Sequence, residues 1–331
     1  LSNCVNHTNK GVLQHPNTTK IDGLTLVAPS HPFTKNPMSG VQNIGADWVA
    51  VVPYAYLQIG TTEVQYNNAQ SKWQWWGEQL AGVKETIRLA KAAHLNILLK
   101  PQVYIPSSWM GELSYEMDED WAAWEESYMA YILLLADVAA ANEVELFCVG
   151  TEFKVAAVER ETYWRRLIQN VQKRYTGKLV YAANWDNYER IPFWDALDYI
   201  GINAYFPLTA SKTPKVQELK KAWQATVAAM NTFQASVDKP ILFTEFGYLA
   251  VDGCAYNTWE LEATMRQMPL NEEAQSNALE ALFQVFWAKG WWHGGFLWKW
   301  YPELEGTAAR QQMDYTPQGK KGVQTIEKWY K

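Results

Sequence analysis

Cysteine and histidine are scarce in this chain, with three cysteines (Cys4, Cys148, Cys254) and five histidines (His7, His15, His31, His94, His293) in 331 residues. An odd cysteine count without paired spacing supplies neither a disulfide framework nor a zinc signature. Cys148 lies inside an apolar run and reads as a small buried hydrophobe. The scattered histidines contain no His-Glu-x-x-His, which disfavours a metal-dependent hydrolase, and no metal or other cofactor is expected. No run of about 18 apolar residues is present, so no transmembrane helix is expected. Basic clusters are missing as well. With a net charge of −6 and a pI near 5.5, nucleic acid is not an expected partner. There is no repeat at a period of 20–50 residues, no low-complexity segment and no interdomain linker.

What the chain has in excess is tryptophan: 18 residues, equal to tyrosine and more than the 11 phenylalanines. Two readings stand: aromatic packing in a large core, or flat platforms for sugar rings, since an indole offers an apolar face and a polar edge together. The length suits one decorated α/β barrel of roughly 250 residues plus insertions.

Residues 1–20 lack periodicity, are rich in Asn, Thr and Lys, and read as a flexible N-terminal leader. Leu1-Ser2-Asn3-Cys4 is similar to the end of a bacterial lipoprotein signal, although Asn3 departs from the usual small residue; a lipid anchor at Cys4 and a secreted, periplasmic or cell-surface location are expectations from this start. Asn6-His7-Thr8 and Asn17-Thr18-Thr19 match a glycosylation sequon that is common by chance in polar tails.

Residues 21–331 alternate short apolar runs with longer amphipathic ones, as repeated β-α units do. Strands are expected at Gly23–Ala28, Trp48–Tyr54, Asn96–Val103, Val144–Thr151, Lys178–Ala183, Tyr199–Ile202, Pro240–Glu245 and Gly294–Trp298. Helices are expected at Glu78–Ala93, Asp118–Asn142, Thr162–Arg174, Val216–Ser236 and Asn271–Lys289. In the second helix Trp121, Trp124, Tyr128, Tyr131, Leu135 and Val138 recur at steps of three and four, marking one buried face. Eight such units predict a single-domain (β/α)8 barrel, a TIM barrel, in the α/β class. The competitor, a doubly wound nucleotide-binding sheet, needs a G-x-G-x-x-G after its first strand. Ala28-Pro29-Ser30-His31-Pro32 stands there instead.

Barrel enzymes keep their working groups on the loops that follow the strands. Those positions here carry Tyr54; Lys100, Gln102 and Trp109; Thr151 and Glu152; Asn184, Trp185 and Asp186; Asn203 and Tyr205; Glu245; and Trp298, Lys299 and Trp300. Hydrogen-bonding groups interleaved with aromatics suit a hydroxyl-rich ligand. Lys100 follows Leu98-Leu99 directly and reads as a solvated charge, a substrate hydroxyl donor or a partner for a site carboxylate. Gln102, Asn184 and Asp186 are candidate hydrogen-bonders. Trp109, Trp185 and Trp300 are candidate stacking surfaces or core residues. Trp73, Trp75 and Trp76 read as structural or as a rim subsite.

Two strand candidates end in the same triplet, Thr151-Glu152-Phe153 and Thr244-Glu245-Phe246. One strand-end glutamate is often a salt-bridge partner or a helix cap. A pair at strands four and seven of a barrel is the raw material of a retaining glycosidase, which needs one carboxyl as acid and another as nucleophile about 5–5.5 Å away. With Asn203-Ala204-Tyr205 and Phe296-Leu297-Trp298-Lys299-Trp300, these glutamates resemble the clan A glycoside hydrolases. Within that clan the chain most resembles glycoside hydrolase family 113, the β-mannanases. The matching segments are Gly45-Ala46-Asp47-Trp48-Val49, Leu98-Leu99-Lys100-Pro101, Val149-Gly150-Thr151-Glu152, Trp194-Asp195 through Ile202-Asn203-Ala204-Tyr205, and Thr244-Glu245-Phe246-Gly247.

The resemblance implies Glu152 as acid/base, Glu245 as nucleophile, Tyr205 as hydrogen-bond partner of the nucleophile and Trp298 as sugar platform. It further implies a β-linked mannan or manno-oligosaccharide as substrate. Much of the clan has Asn before the acid/base glutamate, contacting the sugar 2-hydroxyl; Thr151 stands there instead and puts the 2-hydroxyl partner in doubt. The competing readings are a retaining hydrolase of another β-linked hexose polymer and a sugar-binding barrel without catalysis.

Overall fold

The computed structural model describes residues 20–67, 74–304 and 309–331. Cys4, both sequons, Trp73 and residues 1–19 of the expected leader lie outside the described residues. Lys20, the last leader residue, is already anchored: it is buried, and its ammonium donates to the carbonyl of Lys289 at 2.8 Å.

Eight parallel strands close into a barrel in sequence order. They are β1 (Ile21–Leu26), β2 (Trp48–Val51), β3 (Asn96–Leu99), β4 (Leu146–Thr151), β5 (Lys178–Asn184), β6 (Tyr199–Asn203), β7 (Ile241–Phe246) and β8 (Trp292–Trp300). Closure is made by β1, whose Leu24 sits opposite Val49 of β2 and Leu297 of β8. The expected (β/α)8 barrel is therefore present as one domain. Three expected strands are shorter; β4 starts at Leu146 rather than Val144, and the other two are cut for a local reason. Pro53 and Pro101 have no N–H for the ladder, so β2 stops at Val51 and β3 at Leu99. Beyond each proline, Tyr54–Leu57 and Gln102–Tyr104 pair with each other, and Tyr54–Leu57 also pairs with Val64–Gln65, forming a separate small sheet.

The long helices are α1 (Leu80–Ala92), α2 (Asp118–Ala141), α3 (Glu161–Gln172), α4 (Val216–Val237) and α5 (Glu272–Phe286), with a C-terminal α6 (Gly322–Tyr330). Asp118, Glu119 and Asp120 open α2, where carboxylates complement the exposed N–H groups of a helix start. The Asn271 side chain caps α5 by accepting from the N–H of Ala274 at 2.9 Å. The predicted face of α2 is buried throughout. Trp124 stacks on Tyr128 at 5.3 Å within it, and truncating such a ring to alanine costs about 3–5 kcal/mol.

Alternation along the strands separates two cores. Ile21, Ala50, Leu98, Leu146, Cys148, Val180, Ala182, Tyr199, Leu242 and Phe296 fill the barrel interior. The intervening residues pack outward on the helices. Cys148 is a free, buried thiol in the inner core, as its apolar neighbours predict.

The two strands that end in Thr-Glu-Phe both break register near their ends. On β4, Cys148 faces Val180 but Thr151 faces Ala182, so β4 has one extra residue. On β7, Phe243 faces Ile202 and Glu245 faces Asn203, with Thr244 in excess. Bulges of this kind re-aim side chains and collect at barrel rims.

Candidate active site

Glu245, the penultimate residue of β7, lies inside the barrel mouth and is buried. Its Oε1 accepts from the Lys100 ammonium and from Gln102 Nε2 (3.1 Å), and its Oε2 from the Tyr205 hydroxyl (2.7 Å). Lys100 is fully buried and forms an ion pair with this carboxylate. The Glu245 carboxylate thus takes one ionic and two neutral hydrogen bonds. Burial and the Glu245 charge push the Tyr205 hydroxyl well above the ordinary phenol range, which keeps it a donor.

Glu152 follows β4 with φ of 55°, in the left-handed region that a non-glycine residue enters at a cost. Its N–H still donates to the carbonyl of Ala182 at 2.8 Å, so the backbone is pinned while the side chain turns into the mouth. Oε1 accepts from Asn203 Nδ2 (2.9 Å) and Oε2 from the Trp109 indole N–H (3.1 Å). Asn203 is itself oriented by Thr244, whose hydroxyl donates to its Oδ1 at 2.9 Å. Burial raises the Glu152 carboxyl above the ordinary range, the Glu245 charge raises it further, and the Asn203 and Trp109 donors offset part of this. The two carboxyls thus occupy contrasting environments, and only Glu245 has a directly bonded cation.

Both glutamates open onto a cleft of about 610 Å³, within the usual range for small-ligand sites. Trp109, Asn184, Trp185, Asp186, Tyr205 and Trp298 line it as the sequence suggests. Other candidates sit elsewhere. Lys100, Gln102 and Asn203 are buried and hydrogen-bonded to the glutamates, so they hold the carboxylates rather than open cleft surface. Thr151 does not line the cleft. The extra β4 residue leaves it opposite Ala182, buried, with its hydroxyl on the Pro101 carbonyl at 3.3 Å. Trp300 is also a core residue, packed over Gly40. Tyr54 is half-buried in the small sheet, with burial and the charge of Glu245 raising its hydroxyl well above normal.

Sequence reasoning missed Lys154, Trp259, Glu262 and Tyr315, which complete the cleft wall. Lys154 pairs with Asp186, and its place two residues after Glu152 was an available signal. Trp259 stacks on Trp185 at 5.4 Å and 24° and is 47% exposed. Glu262 and Tyr315 come from segments far from any strand end, where no local pattern marks them. Tryptophan therefore occurs in both settings: Trp124, Trp164, Trp223 and Trp292 are fully buried, while Trp109, Trp185, Trp259 and Trp298 line the cleft. Among the described residues no group of three or more His, Cys, Asp or Glu is arranged to hold a metal ion.

The model of Glycoside Hydrolase Family 113 matches residues 30–320. The chain belongs to glycoside hydrolase family 113. Among solved structures, a family 113 β-1,4-mannanase complex is 26% identical with a TM-score of 0.80, over 94% of this chain and 99% of that one. The family 113 β-mannanase from Alicyclobacillus acidocaldarius is 24% identical with a TM-score of 0.81, over 95% and 98%. The β-glucuronidase from Ruminococcus gnavus, at 15% identity and a TM-score of 0.61, shares the fold over 96% of this chain and 50% of that one. No curated protein sequence is matched by the chain. This family 113 member is a glycoside hydrolase.

Proposed function

We propose that this family 113 enzyme cleaves β-1,4-mannosidic linkages by double displacement with retention, with Glu152 as acid/base and Glu245 as nucleophile. The observation that carries the reading is the contrast between the two carboxyls. Glu245 has Lys100, Gln102 and Tyr205 on its oxygens, while burial and the Glu245 charge favour a proton on Glu152. The mannan substrate is supported by the likeness to a family 113 β-1,4-mannanase over 94% of the chain.

In the first step the Glu245 carboxylate attacks the anomeric carbon as the glycosidic C–O bond breaks, and Glu152 gives its proton to the departing oxygen. A glycosyl ester on Glu245 and a free alcohol result. Esterification removes the Glu245 charge, one of the two causes that raise Glu152, so Glu152 becomes the better base. It then takes a proton from water while the water oxygen attacks the anomeric carbon and Glu245 leaves as a carboxylate. Trp298, on the cleft wall beside both glutamates, offers an indole face to the sugar being cleaved.

Incubation with mannan, glucomannan, cellulose and xylan tests the substrate, and activity on xylan alone would refute it. NMR of the first-formed anomer tests retention, where an α-hemiacetal product would overturn it. E245A with azide is expected to return an α-glycosyl azide, and unchanged turnover of an activated glycoside by that variant would remove Glu245 from its role. A polymeric substrate favours a secreted, periplasmic or cell-surface location, which fractionation with cytoplasmic markers would contradict.

A further inference from the structure

A second depression of about 240 Å³ lies between the loop after β1 and the loop after β8. It is smaller than the roughly 300–1,000 Å³ of a typical small-molecule pocket, a size suited to a single sugar ring. Trp75 and Tyr301 line it together with Phe33, Ser30, His31 and Gln311. Trp75 is 49% exposed, yet its backbone is held firmly. Its N–H donates to Glu78 Oε2 at 3.0 Å, and the next two N–H groups donate to the carbonyls of Ser30 and Pro29 at 3.3 and 2.8 Å. Tyr301 is equally fixed. Its N–H donates to Gln318 Oε1 at 2.8 Å, and its hydroxyl donates to Asp314 Oδ2 at 2.7 Å. The Glu303 carboxylate ties the two loops together by accepting from the N–H groups of Thr34 and Lys35, both at 3.0 Å. Rigid aromatic faces with neighbouring hydroxyl, imidazole and amide groups bind a pyranose at low entropic cost.

The position of this groove relative to the catalytic cleft is set by β8. Trp298 lines the cleft and Tyr301, three residues on, lines the groove. The Lys299 ammonium lies 5.7 Å from the centroid of each ring, so the two sites share one strand end.

Resting on the proposed cleavage of a β-linked hexose chain, we propose that this groove is a distal subsite that takes one further pyranosyl residue of the same chain, with Trp75 as its stacking platform. Neither the family match nor the mannanase likeness assigns it. Because Trp75 is outside the catalytic machinery, its loss affects long substrates selectively.

The test compares kcat/KM of wild type, W75A and W75Y on unbranched manno-oligosaccharides from two to six units. Wild type is expected to gain on lengthening. W75A should lose about tenfold on the hexamer and less than about twofold on the shortest cleaved oligomer, the size of one aromatic contact. W75Y, which keeps a ring, should retain most of the gain, and melting temperatures near wild type exclude misfolding as the cause. A W75A profile parallel to wild type, or a wild-type profile flat with length, would overturn the subsite while leaving mannan cleavage intact. If no manno-oligosaccharide is cleaved, the mannan reading fails and the groove is judged by binding of cellohexaose and xylohexaose. Tryptophan-fluorescence binding weakened about tenfold in W75A supports it, while equal binding by W75A, or none by wild type, overturns it.

Discussion

Asn203 and Tyr205, two residues apart at the end of β6, each donate to a different glutamate: Asn203 Nδ2 to Glu152 at 2.9 Å and the Tyr205 hydroxyl to Glu245 at 2.7 Å. Asn203 is the last residue of β6 and Tyr205 lies just beyond it, and both side chains reach into the barrel mouth. The end of β6 therefore sets the relative position of the two carboxyls, and three of four predictions start from this geometry and its surroundings.

Asn203→Ala removes a donor that favours the charged form of Glu152. Glu152 must be protonated to act as acid, so activity falls as pH rises through its titration, and losing the donor moves that limb to higher pH. A drop in kcat of about tenfold or more accompanies the shift, because a positioned proton donor contributes about 10²–10⁴-fold. The pH profile of kcat/KM checks it; a limb that moves down contradicts the assigned hydrogen bond.

Lys100→Met leaves the buried Glu245 carboxylate without its cation. Breaking one side of a buried ion pair costs about 3–5 kcal/mol of stability. Misplacement of the attacking oxygen lowers kcat on the order of a hundredfold. Lys100→Arg should not rescue, since a planar guanidinium does not fit a site enclosing a point charge. Denaturant melts and single-turnover rates measure the two effects separately, and full activity in the Met variant would exclude Lys100 from positioning Glu245.

Trp185→Ala removes half of the Trp185–Trp259 stack on the cleft wall. KM for oligosaccharides should rise about tenfold with kcat little changed, the pattern of lost uniform binding. An equal fall in kcat at constant KM would instead place this wall at the transition state.

Asp22→Asn concerns stability at the opposite end of the barrel. Burial, with added repulsion from Asp47, pushes the Asp22 carboxyl up to about 8, and its Oδ1 is buried without a hydrogen-bond partner. A carboxyl raised in the folded state contributes its full stability below the unfolded value and loses it as pH rises through the folded one. The melting-temperature advantage of Asp22→Asn over wild type should therefore grow from about pH 4 to about pH 8 and level off above. Thermal melts across that range check it; an advantage that shrinks with pH contradicts the raised value.

Much of the fold was legible locally. Buried parallel strands must be apolar on both faces and helices on one, so the eight runs and the face of α2 stand out in the chain itself. The prolines at 53 and 101 are equally visible, but that the segments after them pair with each other depends on two strands being brought side by side.

Several site residues were also within reach of simple alternation. Lys100 continues the inward step of Leu98, Asn184 that of Ala182, and Asn203 and Tyr205 that of Tyr199. Glu245 was marked by residue type and strand end, since alternation puts Thr244 on the inward step of Leu242; Glu152 falls on the inward step of Leu146 and Cys148, although the bulge after Cys148 breaks that step. β4 and β7 each hold one residue more than their neighbours, and Glu152 is turned by a positive φ. The direction of each carboxyl was decided by strand pairing, because a bulge is a property of two strands and is absent from the pattern of either one. The same reason explains Thr151, conspicuous in the chain yet buried in the fold. It explains Trp259 and Tyr315 too, which join the cleft from segments that only the closed barrel brings together.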